Sequence, residues 1–179
     1  PTHTDCLNTL FGLRRFGIKL GRATIRRILA NLGNPHRRYR TIHVAGTNGK
    51  GSVASGIVSV LRASGYRVGL YTSPHLVRFN ERIQVDGAEI TDAGIVRLYR
   101  RVKRALPGGR EPTFFEFTTA MALDEFARRK VDWAVIETGM GGRLDATNVV
   151  APAVTVVTNV SLEHREYLGP TLAAIAVEK

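Results

Sequence analysis

The stretch Thr41-Ile42-His43-Val44-Ala45-Gly46-Thr47-Asn48-Gly49-Lys50-Gly51-Ser52 decides the reading of this chain. Its first five residues suit a buried strand, the next seven form a glycine-rich turn, and residues 51–64 then carry helical spacing. A turn of this kind between strand and helix wraps backbone N–H groups around a phosphate, with a lysine set to reach the terminal phosphates. Gly46, Thr47, Asn48, Gly49, Lys50, Gly51 and Ser52 are therefore the expected phosphate cradle. The spacing is not the usual one: Val44 stands where a first glycine belongs, and Gly51 follows the lysine where Ser or Thr is customary. The order strand, loop, helix survives that departure. It predicts an ATP-handling domain.

Working outward, Leu7, Leu10, Phe11 and Leu13 recur at helical spacing within residues 5–16, as do Ile25, Ile28, Leu29 and Leu32 within 22–32. Gly33 ends the second helix and Asn34-Pro35 turns the chain away. Residues 1–40 are thus expected as a helical cover, and 41–179 as the phosphate-loop domain. Downstream, strands are expected at 67–72, 132–137 and 153–158, with a mixed loop or short hairpin over 73–89. Thr91 or Asp92 can cap a helix running to Leu106, Thr113 one reaching Arg129 or Lys130, and Thr171 a last one. This alternation predicts an α/β fold, an open and mainly parallel sheet flanked by helices. Ligands of such sheets collect beyond the carboxyl ends of the strands, so 46–52, 73–75, 137–148 and 159–164 should share one edge. The sequence stops at Lys179 with its last helix barely begun, which predicts a piece of a larger protein.

At 179 residues, 44% hydrophobic and 23% charged, the composition is that of an ordinary globular domain. No stretch has the apolar length of a membrane span or a signal peptide, and the single Cys6 excludes an internal disulfide framework. A cytoplasmic enzyme is expected, with no membrane partner. The net charge of +11 is lopsided: residues 1–50 hold ten Lys and Arg against Asp5 alone. Such a bias attracts anions in general or is a solvated face. No helix-turn-helix, finger or stacking motif supports nucleic-acid binding.

Glu137 ends an apolar strand and needs a partner, with magnesium, a helix terminus or an arginine as the options. Gly139-Met140-Gly141-Gly142-Arg143 permits close backbone approach, and Asp145, Thr147 and Asn148 can fix that loop or serve the site. His43 reads as packed inside its strand. Ser73 and His164 each follow a strand and can join an oxygen-rich metal site. Arg78, Phe79 and Arg82, with His75 nearby, suit a flat anionic substrate or a solvated loop. Phe114, Phe115 and Phe117 read first as core, with one at a pocket mouth, and Arg100, Arg101, Lys103 and Arg104 as a solvated helix face.

Together these segments resemble folylpolyglutamate synthase and the bifunctional dihydrofolate synthase/folylpolyglutamate synthase of the Mur ligase superfamily. The resemblance rests on residues 43–52, Thr72-Ser73-Pro74-His75-Leu76 with Phe79 and Glu81-Arg82-Ile83, residues 137–148, Asn159 with His164, Leu168-Gly169 and Glu178-Lys179. Gly51 after Lys50 is similar to the folate branch rather than the cell-wall branch. The resemblance implies a Mur-ligase-like central domain, with ATP held by Lys50 and its loop and Mg2+ by Ser73, Glu137 and His164. It also implies catalytic weight on Lys50, His164 and Lys179, the last a lysine carbamylated in this family. His75, Arg78, Phe79, Arg82 and Phe115 would face the folate or pteroate. Glu163 departs from the family's Asp before the histidine. The later part of the ATPase domain and the C-terminal ligase domain would be absent from this stretch, and the full-length protein a monomer.

The reaction implied is ATP-dependent addition of L-glutamate to a folate or dihydropteroate carboxylate through an acyl phosphate. Two alternatives stand beside it: a Mur-type ligase acting on a cell-wall precursor, and a nucleotide-binding regulatory domain without ligation.

Overall fold

The computed structural model describes residues 1–17, 19, 21–109 and 111–179, without the side chains of Arg15 and Phe16. Two helices, α1 (His3–Gly12) and α2 (Ala23–Asn31), precede β1 (Arg40–Ala45), and α3 (Lys50–Ala63) follows it. Then come β2 (Val68–Tyr71), the hairpin β3 (Ile83–Val85) and β4 (Ala88–Glu89), α4 (Asp92–Arg104) and α5 (Phe114–Arg128). The chain continues through β5 (Trp133–Glu137) and β6 (Val154–Val157) to α6 (Arg165–Leu168) and α7 (Leu172–Glu178).

The strands form one sheet in the order β4-β3-β2-β5-β1-β6. From β2 to β6 they run parallel, and the β3–β4 hairpin adds an antiparallel flank. The α/β expectation is met. The register sets Val44 beside Glu137, Tyr71 beside Ile136 and Ala45 beside Val157. The four parallel strands therefore end nearly level, and the loops that follow them leave from one edge. Chemistry scattered from Gly46 to His164 is gathered by that alignment.

Strand alternation divides the core into two layers. Ile42, Val44, Val68, Leu70 and Val135 meet Ala54 and Val58 of α3 on one face. Tyr71, Ile83, Ala134 and Ile136 pack on the other against residues of α1, α2, α4 and α5. Helices α1 and α2 thus share a core with the elements that follow them. Helix α5 is buried nearly all round, as a helix sandwiched between sheet and outer helices must be. Its Phe126 presses against β2 because Gly69 has no side chain; a Cβ there would meet the ring at 2.5 Å.

Several details differ from expectation. The first helix ends at Gly12 and tightens into a 3-10 turn, Leu13–Phe16, on its way out. Of the two caps expected for α4, Thr91 is the one that serves, its side chain accepting from Gly94 N. The short helix α6 carries too few residues for periodicity to reveal it. Arg101 is no solvated cation: Nε and one terminal nitrogen donate to Asp124 at 2.7 and 3.0 Å, and Arg97 pairs with Glu125. Asp124 and Glu125 are both buried on α5, so these arginines supply the charge their burial demands. Among the described residues no helix is long and apolar enough to cross a membrane.

Candidate functional site

The phosphate-type loop leaves β1 at Gly46, whose φ of 139° and lack of a Cβ let Thr158 sit directly against the backbone. Gly49, at φ 77°, begins α3 with no side chain bonded to the first turn. The first amides of a fourteen-residue helix thus remain open to an anion. Lys50 folds back, donating from Nζ to the carbonyls of Gly46 and Thr47, each at 3.0 Å.

A second wall holds this loop from outside. Thr47 N donates to the Asn159 carbonyl at 3.0 Å, Asn48 N to Asn159 Oδ1 at 3.1 Å, and Ser161 N to Thr47 Oγ1 at 3.0 Å. Thr158 Oγ1 and Asn159 Nδ2 donate to the Asn48 carbonyl at 2.6 and 3.2 Å. Sequence reasoning gave Thr158 and Ser161 no role. Their only signal was their place at and just after the end of the expected strand 153–158.

Glu137 ends β5 almost wholly buried, at 4% exposure. Its Oε2 accepts the Ser73 N–H at 3.0 Å and lies 3.7 Å from where a Cβ on Gly51 would stand. Burial pushes its carboxyl above the usual range, while the Ser73 amide, Lys50 and Arg82 pull it back. The structure therefore brings the loop, Ser73 and Glu137 together. Ser73 and His164 also border one cavity of about 460 Å3, with Phe114, Phe115, Met140 and Asp145 among its walls. No group of three or more His, Cys, Asp or Glu able to hold a metal forms among the described residues. A buried carboxylate with one hydrogen bond, a hydroxyl and an imidazole do fit a small divalent ion that takes its remaining oxygens from phosphate and water.

The loop after β5 is clamped from within. Asp145 is buried; its Oδ2 accepts the N–H groups of Gly139 and Met140 at 3.1 and 3.0 Å. Its Oδ1 accepts Thr147 N at 2.9 Å and Thr147 Oγ1 at 2.5 Å. Burial pushes the Asp145 carboxyl up, but four donors converging on it require the ionised, all-acceptor form. The Thr147 hydroxyl proton is then committed to Asp145, so its oxygen must accept from His43 Nε2, 2.7 Å away. His43 is neutral with its proton on Nε2, and burial holds its pKa down at about 4. The sequence reading of His43 as a packed, hydrogen-bonded residue holds, and its partner is the loop lining the cavity.

Arg143 is paired within the chain: Glu178 accepts from its Nε and a terminal nitrogen at 3.2 and 2.7 Å. Lys179, with a side chain 1% exposed, donates to Glu163 Oε1 at 2.5 Å. Glu163, the residue that departs from the family pattern, is thus engaged. Of the residues expected to face an organic substrate, Arg82 and Phe115 border the cavity. His75 stands behind, bonded to Arg82; Phe79 is buried among Phe11, Phe114 and His75; Arg78 turns outward to Asp92. Phe114 joins Phe115 on the cavity wall, where only one aromatic was expected. Gly139 makes room for Phe115, whose ring would lie 2.6 Å from a Cβ.

Comparison with known proteins gives the family and the fold. The family described as "Mur ligase middle domain" matches residues 44–179. A probable bifunctional folylpolyglutamate synthase/dihydropteroate synthase of Haloferax volcanii is 50% identical over 98% of this chain and 21% of its own length. A solved FPGS-AMPPCP-folate complex has a TM-score of 0.90 and 44% identity, over 98% of this chain and 44% of that one. FolC of E. coli, in complex with DHPP and ADP, gives 0.90 and 37%, over 98% and 43%. The present chain spans less than half the length of each.

Proposed function

The chain belongs to the Mur ligase middle-domain family, and from that premise we propose that it is the ATP-binding portion of a folylpolyglutamate synthase/dihydrofolate synthase. The protein would add L-glutamate to a folate or dihydropteroate carboxylate. The observation that carries this reading is the meeting, at one sheet edge, of an open helix N-terminus, buried Glu137 and an aromatic-walled cavity. The names of the similar proteins point to folate acceptors rather than cell-wall precursors.

The open amides of α3 and the loop around Gly46 and Gly49 would bind the ATP phosphates. Lys50 would leave its two loop carbonyls to neutralise charge on the transferring phosphoryl group. The cavity would hold the flat acceptor with its carboxylate in line with the γ-phosphorus. Attack by that carboxylate forms an acyl phosphate and releases ADP; the amine of glutamate then displaces phosphate. Positioning and electrostatics would supply most of the rate, and no side chain need act as a base. Ser73, Glu137 and His164 are the residues that would hold Mg2+, which supplies charge neutralisation at the phosphates when bound. Lys179 enters as the cation of its pair with Glu163. The carbamate implied by the family would set two anions face to face unless Glu163 turned away.

The test is a substrate screen on the intact protein, with ATP, L-glutamate and either dihydropteroate, tetrahydrofolate or a cell-wall precursor, following ADP and product mass. ADP release and a glutamylated folate product are expected, and Lys50→Ala should lower the rate about 10²- to 10³-fold. Turnover of the cell-wall precursor with none of either folate acceptor would reject the reading.

A further inference from the structure

We propose that Arg82, aimed by His75, is the cation that receives the acceptor's carboxylate in the cavity. The inference deepens the function proposed above and rests on it.

Arg82 is 4% exposed, at the turn leading into β3. Its Nε donates to His75 Nδ1 at 2.7 Å. Among the described residues no carboxylate stands within ion-pair distance of its guanidinium, and no acceptor meets its terminal nitrogens. Glu137 and Glu81 act on it only through space, while burial and the like charge of Arg14 disfavour its protonated form. Buried charges are normally paired, because desolvation is otherwise uncompensated. Arg97, Arg101 and Arg143 in this same chain each have their carboxylate. Arg82 has none, and it borders the cavity as exposed Arg14 does, but from a buried position.

The missing anion is therefore expected from a ligand. The neighbouring wall is carbon: the guanidinium lies 5.3 Å from the centre of the Phe114 ring, and Phe115, Met140 and Ala146 continue the surface. A flat, largely apolar molecule ending in a carboxylate fits that combination, and the planar guanidinium fork matches a carboxylate in two parallel hydrogen bonds. The nucleotide phosphates have their own donors in Lys50 and the α3 amides.

His75 does not border the cavity, so it is a positioning residue. Accepting at Nδ1 places the proton of its neutral ring on Nε2. Its ring is held between Phe11 and Phe79, with centroids 6.3 and 6.2 Å away. Fixing Nε of Arg82 leaves the terminal nitrogens to point at the cavity.

Binding to the intact protein by calorimetry, with dihydropteroate and AMPPCP titrated separately, tests this. Arg82→Met should weaken dihydropteroate binding about 30-fold, the worth of hydrogen bonds to a charged group, and leave AMPPCP binding within threefold. Arg82→Lys, which keeps the charge and loses the fork, should fall between. An analogue of dihydropteroate without its carboxylate should bind wild type and Arg82→Met alike. His75→Ala should raise KM for dihydropteroate with little change in kcat, and His75→Gln, whose amide oxygen can accept from Arg82 Nε, should restore it. Circular dichroism of each variant excludes unfolding. Unchanged dihydropteroate affinity in both arginine variants, or equal losses for dihydropteroate and AMPPCP, overturns the inference alone. Wild type binding AMPPCP but no folate-type acceptor overturns the proposed function with it.

Discussion

At the scale of single residues, the buried chain His43–Thr147–Asp145 ties the cavity loop to the strand that feeds the phosphate loop. It has a measurable consequence in acid. The folded pKa of His43 is depressed to about 4 against an ordinary value of 6.5. Above pH 6.5 neither state holds the proton. As pH falls from 6.5 towards 4 the unfolded chain binds a proton that the folded one refuses, so stability is lost across that window and levels off below it. The loss should reach about 2 kcal/mol at pH 5. Asp145 and Glu137, with raised pKa values, contribute in the opposite sense, so the effect is isolated as a difference from His43→Gln. Urea unfolding of both proteins at pH 7, 6 and 5 should show wild type losing more than the variant. Parallel pH curves would mean that His43 takes its proton while folded.

At the scale of elements, α5 links stability to the site. Thr113 Oγ1 accepts from Glu116 N at 3.1 Å, and Glu116 Oε2 accepts from Thr113 N at 2.8 Å, a complete capping box. The two residues just inside it, Phe114 and Phe115, form the aromatic wall of the cavity. Thr113→Ala should therefore cost about 1 kcal/mol in chemical denaturation. It should also weaken dihydropteroate binding, because the first turn that orients both rings frays. A stability loss with unaltered acceptor affinity would show that the rings are held by their neighbours and not by the cap. The cap was legible in the sequence, since Thr three residues before Glu ahead of an apolar run is a local signature. The resemblance implied Phe115 at the acceptor, but the placement of Phe114 beside it on the cavity wall was not legible, because an aromatic at helical spacing looks the same whether it meets a core or a ligand.

At the scale of the whole molecule, the phosphate loop depends on a segment more than a hundred residues away. Residues 158–161 hold Thr47 and Asn48 through six hydrogen bonds to or from Thr158, Asn159 and Ser161. The two segments meet only because β6 lies beside β1. Asn159→Ala removes two of these bonds and leaves the chemistry of Lys50 and Glu137 in place. It should weaken AMPPCP binding about tenfold, the worth of one to two ordinary hydrogen bonds. Gly46→Ala should be more severe, since its φ of 139° strains any other residue and the new methyl would collide with Thr158. Isothermal titration of both variants with AMPPCP gives the order; an Asn159→Ala protein binding as wild type would mean that the loop keeps its shape without the clamp.

The sequence by itself determined the alternation of strands and helices, the phosphate loop and the strand-end acid, because each is written in neighbouring residues. Glycine spacing, capping pairs and the period of apolar positions act over a few residues and need no knowledge of the rest. Only the tertiary structure decided that Arg101 is bound to Asp124, that Arg78 faces away while Arg82 faces inward, and that Arg143 and Lys179 find their anions within the chain. A long charged side chain takes its partner from whatever element the fold brings within reach, and burial sets what an unpaired charge costs. Neither is a local property of the sequence.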